Sequence, residues 1–143
     1  SFGVVYLSPG DYHRVHSPVA GSLKLVRSMK GDLYPVNSIG ERHIPDLFVR
    51  NQRVALVIDT PNIGRVTVVM VGAIIVGRIS VTALGGPDTR PGIYPLDPAV
   101  PIQAGDELGV FHLGSTAVLF VEPSVTLQHD LGSVRYGEAV SSR

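Results

Sequence analysis

The apolar residues of this chain fall in short runs dominated by Val and Ile, and Gly, Pro, Asn and Asp cut those runs at close intervals. β-Branched side chains suit a pleated, half-buried surface, and turn residues at this density leave no room for long helices. The pattern predicts an all-β fold, a barrel or sandwich of short strands and hairpins with little helix. Candidate strands are Val4 to Leu7, Ser22 to Val26, Val54 to Ile58, Arg65 to Val71, Ile74 to Ile79, Glu107 to Phe111 and Ala117 to Val121.

Two kinds of strand are distinguishable. Leu23 and Leu25 are expected on one face with Lys24 on the other, whereas Val66-Thr67-Val68-Val69-Met70-Val71 is apolar almost throughout and is expected to lie buried on both faces at the centre. From Leu84 through Gly105 stand five Pro and four Gly, including Gly85-Gly86-Pro87-Asp88 and Pro91-Gly92. Such a stretch reads as a surface excursion without lasting regular structure. No segment shows a period of 3.6, no repeat stands out, and the residues after Leu131 are expected to fray.

With 143 residues the chain has enough length for one domain, 1–143, with a core of its own. Lys plus Arg and Asp plus Glu both number 12, and Lys occurs only at Lys24 and Lys30, so no basic footprint for nucleic acid is present. The absence of Cys excludes disulfides, thiolate metal sites and thiol nucleophiles together. No apolar run approaches the roughly 20 residues that span a bilayer, which predicts a soluble segment. The abrupt strand-like start at Phe2 reads as if upstream sequence had been removed.

Two places carry groups with chemical potential. Asp11-Tyr12-His13-Arg14-Val15-His16-Ser17-Pro18 sets two imidazoles three residues apart ahead of a Pro-enforced extended turn, and imidazoles carry protons near neutral pH. On its own the pair reads more simply as one His bonding the turn and one in solvent. A zinc site would want a third ligand at a recognisable spacing, and none has one. The second place is Phe111-His112-Leu113-Gly114-Ser115-Thr116, a polar step between two apolar runs. It reads either as a tight hairpin or bulge in which Gly114 supplies positive φ, or as a strained site where the Ser115 hydroxyl attacks the preceding carbonyl.

Taken together, Tyr12-His13-Arg14-Val15-His16-x-Pro18 and Leu113-Gly114-Ser115-Thr116 resemble the phosphatidylserine decarboxylases. Gly31-Asp32-Leu33-x-x-Val36-Asn37, Asn51-x-Arg53-Val54 and Val71-Gly72-Ala73-x-x-Val76-Gly77 resemble the same family in the same order. The resemblance runs from about Tyr6 to Val125 and is weaker at residues 85 to 105. It implies a pyruvoyl lyase that cleaves itself between Gly114 and Ser115 into a β chain, 1–114, and an α chain, 115–143. Ser115 would be the nucleophile and then the pyruvoyl group, His16 its general base, and His13 an aid to decarboxylation or the protonation after it. The implied reaction forms a Schiff base with the serine head group of phosphatidylserine and releases carbon dioxide to give phosphatidylethanolamine, with no metal.

The resemblance further implies a peripheral protein at the cytoplasmic face of a bacterial inner membrane, reaching lipid through an N-terminal region, and allows a homodimer. The family's third maturation residue, an Asp that orients the His, lies upstream of the first motif and is not in this chain, so slow or blocked cleavage is expected unless that Asp arrives on a missing segment. Asp11, the nearest carboxylate, is read as part of the turn. Three rival readings stand beside this one: a biotinyl or lipoyl carrier modified at Lys30, a decarboxylase of another serine-headed lipid or soluble serine derivative, and a maturation-deficient scaffold in which Ser115 stays serine.

Overall fold

Period-two alternation decides which side chains meet, and in this chain it builds two antiparallel sheets whose inner faces share one core. The computed structural model describes residues 1–74, 77–128 and 131–141. In chain order the elements are β1 (Phe2–Tyr6), β2 (Arg14–His16), β3 (Gly21–Met29), α1 (Ser38–His43), α2 (Leu47–Arg50), β4 (Arg53–Thr60), β5 (Gly64–Val71), β6 (Ile79–Val81), β7 (Gly92–Ile102), β8 (Glu107–Phe111) and β9 (Thr116–Val121). The larger sheet has the order β1-β9-β5-β4-β3-β7 and the smaller β2-β8-β6. The all-β expectation holds.

Val54, Leu56 and Ile58 of β4, Val68 and Met70 of β5, and Leu23 and Val26 of β3 face Val15, Ile79, Val81, Leu108 and Phe111 of the smaller sheet. Each such side chain taken out of water contributes about 1.5–3 kcal/mol. The opposite face of the larger sheet is covered near β5 and β9 by the two short helices, where Val36 and Leu47 pack with Val71, Ala73 and Val118. β5 is thus an interior strand, with Val66, Val68, Met70 and Val71 buried and Thr67 and Val69 half-buried.

Three expectations are corrected. Leu23 and Leu25 do not share a face: the register slips between them, so burial passes from Leu23 to Val26, as a bulge requires. The Pro-rich stretch holds an eleven-residue strand, β7, with Pro95 opposite Leu25 and Pro101 opposite Ser22. Proline is tolerated because β7 is an edge strand, where one side of the backbone needs no donor. In the predicted strand from Ile74 to Ile79, Ile75 and Val76 lie outside the described residues, and regular pairing begins only at Ile79.

The smaller sheet is fastened at its centre by β2 against β8, with Arg14 opposite Val110, Val15 opposite Gly109 and His16 opposite Glu107. The Arg14 guanidinium donates to the Glu107 carboxylate, and Thr82 donates to its other oxygen at 3.1 Å. The Arg14 bond, helped by Thr82, holds the Glu107 carboxyl below its ordinary range. Gly109 lets the layers close up: a Cβ there would stand 2.5 Å from the Ser80 carbonyl oxygen and 3.1 Å from the Met70 sulfur.

Gly109→Ala is therefore expected to destabilise the fold by about 1–3 kcal/mol in urea unfolding. Gly10→Ala, where a Cβ meets nothing within 4 Å, should leave the midpoint unchanged; equal midpoints would refute the close approach. Because the Glu107 carboxyl is depressed in the fold, its stabilising contribution is present above about pH 4.3 and is lost as pH falls through the folded value. Thermal scans between about pH 5 and pH 3 should show a shallower acid-side loss in Glu107→Gln than in the parent.

Candidate active site

Four residues before Ser115, β8 ends at Phe111, and one residue after it β9 begins at Thr116, so the Gly114–Ser115 bond lies in the link that carries the chain from the smaller sheet to the larger. Residues 7–13 link β1 to β2 and make the same crossing in the opposite sense. The two links pack together. Leu7 N–H donates to the Ser115 carbonyl at 2.7 Å, and Phe111 N–H donates to the His13 carbonyl at 3.0 Å. Between these points Asp11 accepts from Ser8 N–H at 2.7 Å and Ser8 Oγ at 2.8 Å. Those bonds hold its carboxyl below the usual range, and Asp11 is committed to the turn, as the sequence suggested.

Gly114 is pressed against this turn. A Cβ there would stand 2.8 Å from the Leu7 carbonyl oxygen, 3.0 Å from the Pro9 nitrogen and 3.0 Å from the Ser8 carbonyl carbon. Its φ is outside the left-handed region, so the positive φ considered from sequence is not what demands glycine; room for the neighbouring backbone is. Ser115 is fully buried, and its hydroxyl donates to the Val71 carbonyl at the end of β5. Thr116 Oγ1, next along, is buried with no partner among the described residues, and so is His13 Nε2. Unsatisfied buried polar atoms are uncommon and costly.

The two histidines occupy different ends of the β2–β8 ladder. His13 sits at the Phe111 end, three residues from Gly114. His16 sits opposite Glu107, with Nδ1 2.7 Å from the Gly105 carbonyl and Nε2 2.8 Å from the Tyr12 hydroxyl. A carbonyl only accepts, so Nδ1 carries the proton, and in the neutral ring Nε2 is the basic nitrogen, accepting from Tyr12. No hydrogen bond joins His16 to Ser115 in this arrangement, in which each is bonded elsewhere. Residues 7–13 pack on the link that holds Gly114 and Ser115, whereas His16 lies at the far end of the ladder and makes no direct contact with Ser115.

Sequence reasoning passed over several groups at this site. The rings of Tyr12 and His16 stack at 5.6 Å, and Tyr136 meets both edge-on, at 5.4 and 4.9 Å. Tyr12 and His16 share a short motif and could have been paired from spacing, but nothing in the sequence points Tyr136 at them. His112 Nε2 lies 2.6 Å from Ser80 Oγ, which fastens β6 beside the link. Lys30 is exposed after β3, and two helices separate β3 from β4 there. It therefore lacks the hairpin tip that a carrier lysine would occupy.

The chain matches the family described as phosphatidylserine decarboxylase over residues 1–142. It is 40% identical over 148 residues to the phosphatidylserine decarboxylase proenzyme of Psychrobacter arcticus, an alignment that covers 99% of this chain and 53% of the relative. The proenzyme of Saccharophagus degradans is 39% identical over 150 residues, covering 99% of this chain and 52% of the relative. That of Acinetobacter baylyi is 46% identical over 123 residues, covering 85% and 42%. The chain thus spans about half the length of the curated relatives it matches. With a match along nearly every residue, the chain belongs to the phosphatidylserine decarboxylase family.

Proposed function

We propose that this chain carries the self-processing and decarboxylating centre of a phosphatidylserine decarboxylase, made as a proenzyme and cut between Gly114 and Ser115. The observation that supports it most is the packing of residues 7–13 on the Gly114–Ser115 link, which buries a serine hydroxyl beside a glycine with no room for a side chain. As one domain, 1–143, the chain would become a β chain, 1–114, and an α chain, 115–143.

In the first step the Ser115 hydroxyl attacks the Gly114 carbonyl carbon, the C–N bond breaks, and an ester replaces the amide with a free amine on residue 115. A weak nucleophile needs a base, and His16 Nε2 is the basic nitrogen of a ring whose tautomer the Gly105 carbonyl fixes. To serve, His16 has to leave Tyr12 at the far end of the β2–β8 ladder and Ser115 its Val71 bond, and the turn that carries the imidazole has to move onto the link that carries the hydroxyl. Loss of the residue-115 α proton expels the Gly114 carboxylate and leaves dehydroalanine. Water enters, ammonia leaves, and residue 115 becomes a pyruvoyl group.

The site suits that group: residue 115 is buried, and Thr116 Oγ1 and His13 Nε2 are buried polar atoms awaiting partners. The group supplies a ketone and amide carbonyl that accept the electron pair of the bond to the departing carbon dioxide. His13 carries the proton that replaces the carboxyl group. The substrate is phosphatidylserine and the product phosphatidylethanolamine; another serine-headed lipid would ask the same of these residues. Among the described residues no helix is long and apolar enough to cross a membrane. We place the protein as a peripheral one at the cytoplasmic face of a bacterial inner membrane, meeting lipid outside this segment, with a homodimer as the assembly.

In a longer proenzyme that supplies the upstream Asp, denaturing mass spectrometry is expected to show cleavage after Gly114 and a fragment beginning at residue 115 that is lighter by one ammonia than its serine form, whereas this chain by itself is expected to be cut slowly or not at all. Ser115→Ala should stay whole, and its cleavage at the same bond would sink the proposal. His16→Asn should slow cleavage by about 10²–10⁴-fold. His13→Ala should still be cut, while carbon dioxide release from phosphatidylserine falls by about 10²–10⁴-fold; unaltered release would remove His13 from the chemistry.

A further inference from the structure

The segment beyond β9 does not simply trail into solvent. Gln128 N–H donates to the Val140 carbonyl at 2.9 Å, and Leu127 bridges Ser141, so the tail is tied back at its neck. At its far end Glu138 N–H donates to the Arg135 carbonyl at 3.0 Å and Arg135 N–H to the Glu138 carboxylate at 2.7 Å. This turn carries Tyr136. Its ring stands 4.9 Å from that of His16 at 66° and 5.4 Å from that of Tyr12 at 60°, while Tyr12 and His16 lie nearly parallel at 5.6 Å. Edge-to-face rings at these separations attract one another and restrict rotation.

We propose that Tyr136 is a positioning residue for His16: the C-terminal turn 135–138 closes an aromatic cage that, with the Gly105 carbonyl, sets the orientation of the imidazole. The inference rests on the reading of His16 as the base of self-cleavage. It adds that the base is oriented by a residue on the far side of the bond to be cut, 21 positions beyond Ser115. The precursor is then ready to cleave only once residues 135–138 have folded against His16, and after cleavage the α chain still supplies one wall of the histidine's surroundings. Tyr136 touches none of the reacting atoms.

The test compares Tyr136→Leu and Tyr136→Phe with the parent chain, each first shown to unfold at the parental temperature. In Tyr136→Leu the His16 ring protons should lose the part of their ring-current displacement that Tyr136 contributes beside Tyr12 in proton NMR, diethyl pyrocarbonate should modify His16 severalfold faster, and self-cleavage should slow about tenfold to a hundredfold. Tyr136→Phe keeps the ring and should restore all three. Ring-proton shifts and modification rates in Tyr136→Leu equal to the parent's would overturn the cage, and altered shifts with unaltered cleavage would overturn the positioning role. Parental cleavage in His16→Asn would sink the reading of His16 as base, and the ring-proton comparison would still decide whether Tyr136 holds it.

Discussion

β9 is hydrogen-bonded along both edges. Thr116 pairs with Tyr6 of β1 and with Val71 of β5, and the ladders continue through Val118, opposite Val4 and Val69, to Phe120 and Val121. The segment beyond Gly114 is therefore an interior strand of the larger sheet, although it lies late in the sequence. A cut at the Gly114–Ser115 bond removes one covalent link and leaves both ladders and the buried Val118 in place. A break next to an edge strand or a frayed tail would release the fragment; here the sheet itself retains it. The same double pairing brings Ser115 to the end of β5, where its hydroxyl meets the Val71 carbonyl.

On the other side of the bond, the β2–β8 ladder sets the two imidazoles in different surroundings. His13 lies where β8 gives way to the link, with a buried nitrogen that no group satisfies. His16 lies at the opposite end, saturated by Gly105 and Tyr12. The Gly105 carbonyl does for the ring what a carboxylate does in hydrolase triads as far as tautomer and orientation go. It carries no full charge, so it stabilises imidazolium less than a carboxylate would. The difference is one of charge stabilisation, worth more in a dry site than in a wet one.

The elements that could be read from sequence are those in which local pattern and global position agree. β5, β8 and β9 are uninterrupted apolar runs bounded by turn residues, and they lie where such runs must, inside the layers. β7 was hidden because proline argues against a strand in general but not against an edge strand, and edge position is a property of the whole sheet. β2 has three residues, too few for alternation to register, and α1 and α2 are too short to display a helical period. At the site, ordered motifs point to Gly114, Ser115, His13 and His16, and their neighbourhood depends on register that no local signal contains. Tyr136 and the Gly105 carbonyl were out of reach, since one is a lone aromatic in a polar tail and the other is backbone.

Complete burial of Ser115 imposes a condition on any molecule that is to react at residue 115. Beside it lies the turn from Leu7 to Asp11, whose backbone stands too close to Gly114 for a methyl group. It is fastened by the Leu7–Ser115 backbone bond and by the Asp11 carboxylate on Ser8. These fastenings differ in kind: the first belongs to the edge of a ladder, whereas the second is exposed and depends on an ionised carboxylate, so water and protons compete with it directly. Intact chain geometry keeps Gly114 wedged beneath the turn. Once the bond to Ser115 is gone, Gly114 is a free carboxyl terminus held by nothing beyond Leu113, and a charged group favours leaving a packed position for water. A cut at that bond would therefore loosen Gly114 beneath the turn, while β9, paired on both edges, would hold residue 115 in place.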